Sequence, residues 1–146
     1  DETHAPERPV WLLVRSLERG GSERRAVRLA VGLRSRGVSV RVLTFYSGGS
    51  LAADLVTAGV PVLDLGKRSR WDLIGFTRRL IAALRLGRPR WIIAYMTGPN
   101  LAASCAAWFV PGTAVVWNVV GSQRDRHLMN RVERAARPFS GFSLTV

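Results

Sequence analysis

Cysteine, lysine and histidine are almost missing from this 146-residue chain: Cys105 stands alone, Lys67 is the only lysine, and His4 and His127 are the only histidines. One thiol cannot build a disulfide framework, and its place in an apolar, Ala-rich run assigns it to packing in a reducing compartment. The histidines lack metal-ligand spacing, His4 falling in a polar leader and His127 on a solvated helix face. Familiar signatures are absent too. No G-x-G-x-x-G occurs, and Gly66-Lys67 is followed by Arg68, so neither a dinucleotide turn nor a P-loop is present. There is no Asp-x-Asp of a metal-dependent sugar-nucleotide site and no G-x-S-x-G nucleophile turn.

Acidic side chains are few. Ten Asp and Glu face 22 Lys and Arg, a formal net charge of +12. Arginine-heavy usage fits genomic base composition, and equally a surface that attracts phosphates, acidic lipid headgroups or nucleic acid. A long apolar span is lacking as well. No charge occurs between Trp91 and Arg124, but Gly98-Pro99-Asn100 and Pro111-Gly112 cut that stretch into pieces below the ~20 residues of a membrane helix, so it reads as buried interior. Residues Asp1 to Pro9 are polar, unlike a signal peptide, and read as a disordered leader. With no initiator Met, the chain is expected to be a processed or excised piece.

What is present is an ordinary globular balance, 47% hydrophobic and 22% charged, sized for one domain. Val10 to Val14 is a continuous apolar run, the mark of a strand covered on both faces. Gly20-Gly21 follows, Ser22 is placed to cap a helix, and Ala26, Leu29, Ala30 and Leu33 form its inward stripe up to Gly37. Further strands are expected over Val38–Thr44, Pro61–Leu65, Trp91–Tyr95, Thr113–Trp117 and Phe142–Val146. The helices between them begin at Ser50, after Ser69 and Asp72 (capping-box spacing, with Leu73, Phe76, Leu80 and Leu84 inward), at Asn100, and at Asp125. The sequence therefore predicts an α/β fold: one Rossmann-like domain with a mostly parallel sheet of about six strands and helices on both faces. The last strand stops with nothing after it, so the chain reads as cut off.

The most informative segment is Leu17 to Arg24, between the first strand and first helix. A helix N-terminus there offers free N–H groups and a positive dipole to an anion, and two glycines admit close approach. Gly-Gly alone also suits a plain strand-to-helix turn. The segment Arg19-Gly20-Gly21-Ser22-Glu23-Arg24, followed by Leu29-Ala30, Leu33, Arg36-Gly37 and Val40-Val42, resembles the opening of the family 4 retaining glycosyltransferases of the two-domain GT-B type. The resemblance runs on through Ala58-Gly59-Val60-Pro61-Val62, Arg88-Pro89, Asn100-Leu101-Ala102 and Val115-Val116-Trp117-Asn118. It covers roughly Val10 to Val146.

This resemblance implies that residues 10–146 are the N-terminal, acceptor-side domain, with Gly20, Gly21 and Ser22 forming the cleft loop near the donor diphosphate. Asn100, Asn118, Gly121, Arg124 and Arg126 would line the acceptor side. Partners would be the missing C-terminal donor domain, a nucleotide-sugar and a glycan or lipid-linked acceptor. No metal or other cofactor is implied. The chain departs from the family at Val120, where His or Arg is common, and Arg124 or Arg126 would have to substitute. Arg24, Arg25 and Arg28, opposite the apolar stripe, are either a solvated face or meet an anionic membrane. Trp71 beside Lys67, Arg68 and Arg70 suits an interface. A cytoplasmic enzyme half, peripheral on the inner membrane face and inactive alone, is the leading expectation. A non-catalytic basic module binding anionic lipid or nucleic acid is the alternative, with nucleic acid the less expected partner.

Overall fold

The structure, a computed structural model, describes residues 8–118. The apolar run Val10–Val14 forms β1, and the chain continues through α1 (Gly21–Ser35), β2 (Val40–Thr44), α2 (Ala52–Thr57), β3 (Val62–Asp64), α3 (Leu73–Gly87), β4 (Trp91–Tyr95), α4 (Thr97–Trp108) and β5 (Ala114–Asn118). The sheet is wholly parallel among the described residues, in the order β3-β2-β1-β4-β5. Register places Val10 beside Val40 on one side and Trp91 on the other.

Successive residues of a strand face opposite sides, and β1 is covered on both. Trp11 and Leu13 join Phe76, Leu80, Leu84, Ala103 and Ala106 in the core under α3 and α4. Leu12 and Val14 join Ala26, Val27, Ala30 and Leu55 under α1 and α2. Alternating strands and helices thus give the expected three-layer fold. Gly37 and Gly59 end α1 and α2 at positive φ, and the next amides, of Val38 and Val60, reach back to Leu33 O and Leu55 O. This is the Schellman geometry that glycine makes accessible.

Several local expectations are corrected. α1 begins at Gly21 with Gly20 as its N-cap, so Ser22 lies inside the first turn and caps nothing. Val27 takes the inward place given to Leu29, which is 37% exposed. Small Ala26 and Ala30 set the centre of the contact, rotating Leu29 to its edge. Ser69 and Asp72 form no capping box; the Asp72 carboxylate instead accepts from the Arg68 N–H (3.1 Å) and the Arg79 guanidinium (2.6 Å). Leu73 is exposed, and so is Cys105, which excludes it from the packing role. α4 starts at Thr97, before Asn100. Gly98 and Pro99 occupy its first turn, where a missing proline N–H costs nothing. The expected helix from Asp125 and strand Phe142–Val146 lie outside the described residues, as does most of the leader.

The β1–α1 connection is braced by the connection after β2. Phe45 N–H and Tyr46 N–H bond to Arg15 O, Leu51 N–H to Leu17 O (3.0 Å), and Arg19 Nε to Ser50 Oγ (3.2 Å). Gly49, at φ +112°, lies so close that a Cβ would strike the Leu17 carbonyl and the Glu18 nitrogen. Both the backbone angle and the contact demand glycine. Gly49→Ala is expected to lower the unfolding free energy by about 2–3 kcal/mol in urea denaturation. Gly21→Ala, with nothing within 4 Å of its Cβ, should change it by less than about 0.5 kcal/mol. Equal stability of the two variants would refute the brace.

Candidate functional site

The connection from β1 leads by α1 towards β2, and the connection from β4 leads by α4 towards β5. Between β1 and β4 the winding reverses, and at the carboxyl ends of these strands the connections diverge. Open parallel sheets bind ligands in this crevice. It is flanked by the N-terminus of α1 over one face and that of α4 over the other. Neither helix has a side-chain cap hydrogen bond. Their positive dipole ends both point at this crevice, where the field favours an anion.

On the α1 side, Gly20 is partly buried and Gly21 exposed. A Cβ at Gly20 would collide with the Glu23 carboxylate, which folds back over the turn, whereas one at Gly21 would meet open space. Gly21 thus has no internal packing reason to be glycine. Ser22 is partly buried in the first turn. Arg24 and Arg28 separate from Arg25. With Arg19, Val27, Leu51 and Asp54, they line an open groove of about 280 Å³ between α1 and α2. Arg25 is on the side of Tyr95 and contributes positive potential there.

At the ends of β4 and β5, Tyr95 and Asn118 are register partners. Burial pushes the Tyr95 hydroxyl above its ordinary pKa, and the hydrogen bond with Asn118 and the charge of Arg25 oppose that rise. Asn118 is partly buried, and its carbonyl accepts from Met96 N–H at 3.4 Å. Met96, the N-cap of α4, has φ +73° and ψ 165°, a region populated essentially by glycine. The helix it starts contains Asn100, fully enclosed, with neither amide atom hydrogen-bonded. A strained residue and an orphaned amide one turn apart are two uncompensated costs of the sort that concentrate at functional sites. The enclosed Asn100 amide does not face the solvent, so contact with an acceptor requires α4's first turn to move.

The parallel sheet therefore brings Gly20, Gly21 and Ser22, Asn100 and Asn118 to one edge, with β1 at its centre. Gly121, Arg124 and Arg126, and Val120 before them, lie outside the described residues. Sequence reasoning missed three features: the Gly49 brace, the Met96 strain and the Tyr95–Asn118 pair. Gly48-Gly49 beside Ser50 was a visible signal for the first. Nothing in the residue type marks Met96. Tyr95 reads from the sequence as one more apolar strand residue.

Residues 20–145 match the family model described as a glycosyl transferase 4-like domain. The chain belongs to that family. No curated protein matches it. Among solved structures, this glycosyl transferase 4-like chain shares its fold with HepE of Anabaena, solved with UDP and glucose (17% identity, TM-score 0.70, 93% of this chain and 37% of that one). It is also similar to MurG of Acinetobacter baumannii (14%, 0.65, 95% and 41%) and a glycosyltransferase of Rickettsia africae (10%, 0.64, 88% and 35%). The fold is the Rossmann-like one of GT-B glycosyltransferases. The chain spans about two fifths of the length of these structures or less. Among the described residues, no helix is long and apolar enough to cross a membrane.

Two measurements check the site. Asn100→Leu removes a buried, unpaired amide at similar volume, so it should raise the unfolding free energy by about 1 kcal/mol; a loss of that size would mean the amide is satisfied. In a Tyr46→Phe background, phenolate absorbance should place the Tyr95 midpoint above its unfolded value of about 10. Since the folded value is the higher one, the neutral hydroxyl is favoured by the fold. Its contribution to stability is complete below the unfolded value and declines as pH rises through the folded one. A midpoint at or below the unfolded value would contradict the burial.

Proposed function

We propose that this domain is the acceptor-side half of a glycosyltransferase that moves a sugar, with retention, from a nucleotide-sugar to a hydroxyl of a glycan or lipid-linked acceptor. The observation that carries the reading is the uncapped N-terminus of α1 at the switch between β1 and β4, with Gly21 open to the crevice. In the transfer, the bond from the sugar's anomeric carbon to the diphosphate breaks, a bond to the acceptor oxygen forms, and the acceptor's proton passes to the departing diphosphate. Charge accumulates on the departing diphosphate. In this reading the N–H groups of Gly21 and Ser22 and the dipole of α1 stabilise it without reorganisation at the moment of reaction, and no metal is called for. Glu23, folded over Gly20, would be displaced by the phosphates or reoriented as they arrive.

Asn118, held by Tyr95 with Arg25 close by, and Asn100 at the base of α4 are assigned to the acceptor, together with Gly121, Arg124 and Arg126 on the strength of the family resemblance. Positioning of this sort converts an encounter into an oriented reaction. The family membership favours this reading over the basic, non-catalytic module. A nucleotide pocket needs a second wall, and the described residues provide only one. The domain alone is therefore proposed to be inactive, with its donor contacts supplied by a partner half.

Isothermal titration of the 146-residue chain with several nucleotide-sugars is expected to show no base-selective binding, and micromolar selective binding would overturn the half-site reading. In the chain joined to a donor half, Gly21→Val should lower kcat/KM by about 10- to 100-fold while leaving the melting temperature unchanged. Unaltered turnover in that variant would remove Gly21 from the site. The anomeric configuration of the product, read by NMR, tests retention.

A further inference from the structure

We propose that the groove between α1 and α2 is a binding site for a phosphate monoester of a sugar or polyol, with Arg19, Arg24 and Arg28 holding the phosphate and Asp54 accepting from a hydroxyl. The groove is separate from the crevice, with α1 between them, and it does not depend on the proposed transfer. Arg24 and Arg28 are four positions apart on α1, so both guanidiniums stand over one helix face. Like charges at that spacing repel, and Arg24 also closes the first turn, where the helix dipole disfavours a cation. Both residues are exposed, so packing forces neither cost. No carboxylate offsets them: among the described residues the only ion pair joins Asp72 to Arg79, and Glu23 is folded back over Gly20.

A third guanidinium joins them from the β1–α1 connection. Arg19 Nε donates to Ser50 Oγ at 3.2 Å, and its two terminal nitrogens make no hydrogen bond among the described residues. Ser50 follows Gly49, whose backbone is pressed on Leu17, so Arg19 is anchored while its terminal nitrogens stay available. All three arginines line the one open groove of about 280 Å³, together with the buried side chains of Val27 and Leu51. A guanidinium presents its donors in a planar fork that matches phosphate oxygens. A phosphate monoester brings close to two negative charges and three strong acceptor oxygens, which three such forks can satisfy.

Asp54 decides the class of ligand. It is exposed and lines the same groove, yet forms no ion pair with any of the three guanidiniums. A bare phosphate gains nothing from this carboxylate and is repelled by it. A hydroxyl donates to it, and hydrogen bonds to an ionised acceptor are the strong ones. The ligand that uses every polar group of the groove therefore carries a phosphate at one end and hydroxyls at the other. Val27 and Leu51 offer apolar surface to the C–H face of a sugar ring. The volume is close to the ~300 Å³ lower end of small-ligand pockets, which suits a monosaccharide better than a nucleotide. Bound there, the ligand ties α1 and α2 to the β1–α1 connection through Arg19 and stabilises the fold by mass action.

Isothermal titration of the 146-residue chain with glucose 6-phosphate, orthophosphate and glucose tests the assignment. At low salt, glucose 6-phosphate should bind at one site with a dissociation constant below about 1 mM, orthophosphate about tenfold more weakly, and glucose not measurably. Arg24→Gln with Arg28→Gln should weaken both phosphates about tenfold or more. Arg78→Gln with Arg85→Gln removes the same charge from exposed positions of α3 and should leave both unchanged. Asp54→Ala should tighten orthophosphate about threefold and erase the preference for glucose 6-phosphate. Without ligand, the Arg24→Gln, Arg28→Gln chain should melt no lower than the wild type, because a repulsion has been removed. With glucose 6-phosphate at about ten times its dissociation constant, only the wild type should gain stability. A lower melting temperature of that ligand-free variant would assign the two arginines to the fold and overturn the proposal. Equal weakening by the α3 substitutions, the mark of net charge alone, would overturn it too. So would the absence of saturable glucose 6-phosphate binding, or a preference for it that survives Asp54→Ala. None of these measurements involves sugar transfer, so a failure here leaves the proposed function standing.

Discussion

Because Trp11 and Leu13 point to one side of the sheet and Leu12 and Val14 to the other, and all four are enclosed, β1 needs helices over both its faces. Right-handed crossovers deliver that only if the chain winds outward one way and then returns to wind outward the other. The order β3-β2-β1-β4-β5 is that solution. The reversal next to β1 is a consequence of burying it, and so is the crevice at its carboxyl end. Two helices on opposite faces then start at this crevice, and their dipoles add there. The positive dipole field at this edge follows from the burial of one strand, before any charged side chain is considered.

The loops around this edge are held more tightly than their glycine content implies. Gly49 pressed on Leu17, and Arg79 bonded to Leu65, Gly66 and Asp72, both fasten carboxyl-edge connections to neighbouring backbone. Sites of this kind act through groups already in position, since reorganisation during reaction cancels electrostatic gain. α4's first turn differs: it carries a residue at positive φ, Met96, and the enclosed Asn100 amide with no hydrogen bond, two local costs that the β1–α1 turn does not have.

The strands were legible because a doubly covered strand is apolar at every position, which Val10–Val14 and Trp91–Tyr95 nearly satisfy. Helix ends at Gly37 and Gly59 were legible for a different reason, since positive φ leaves glycine few substitutes. Helix starts were not. Ser22 and Ser69 have capping chemistry, but whether a hydroxyl reaches a free N–H depends on where the preceding turn leaves it, and here α1 begins one residue earlier, with Gly20 as the cap residue. Cys105 sits among alanines that are buried on one side of α4 only, and run composition does not reveal which side. The Tyr95–Asn118 contact joins neighbouring strands through register, which the sequence of either strand alone does not contain.

Charge placement ties the crevice to the two basic surfaces that flank it. The acidic residues described all lie at or before Asp72, so in the half of the sheet bearing β4, β5, α3 and α4 the described cations outnumber their counter-charges, with Asp72 paired to Arg79. The α1–α2 half has Glu18, Glu23 and Asp54 to offset its arginines. Field lines from such an arrangement concentrate at the carboxyl edge, where helix dipoles have the same sign. At that edge the turn with open Gly21 stands at a helix N-terminus, so the fixed dipole and the field of the unbalanced arginines have the same sign and reinforce one another.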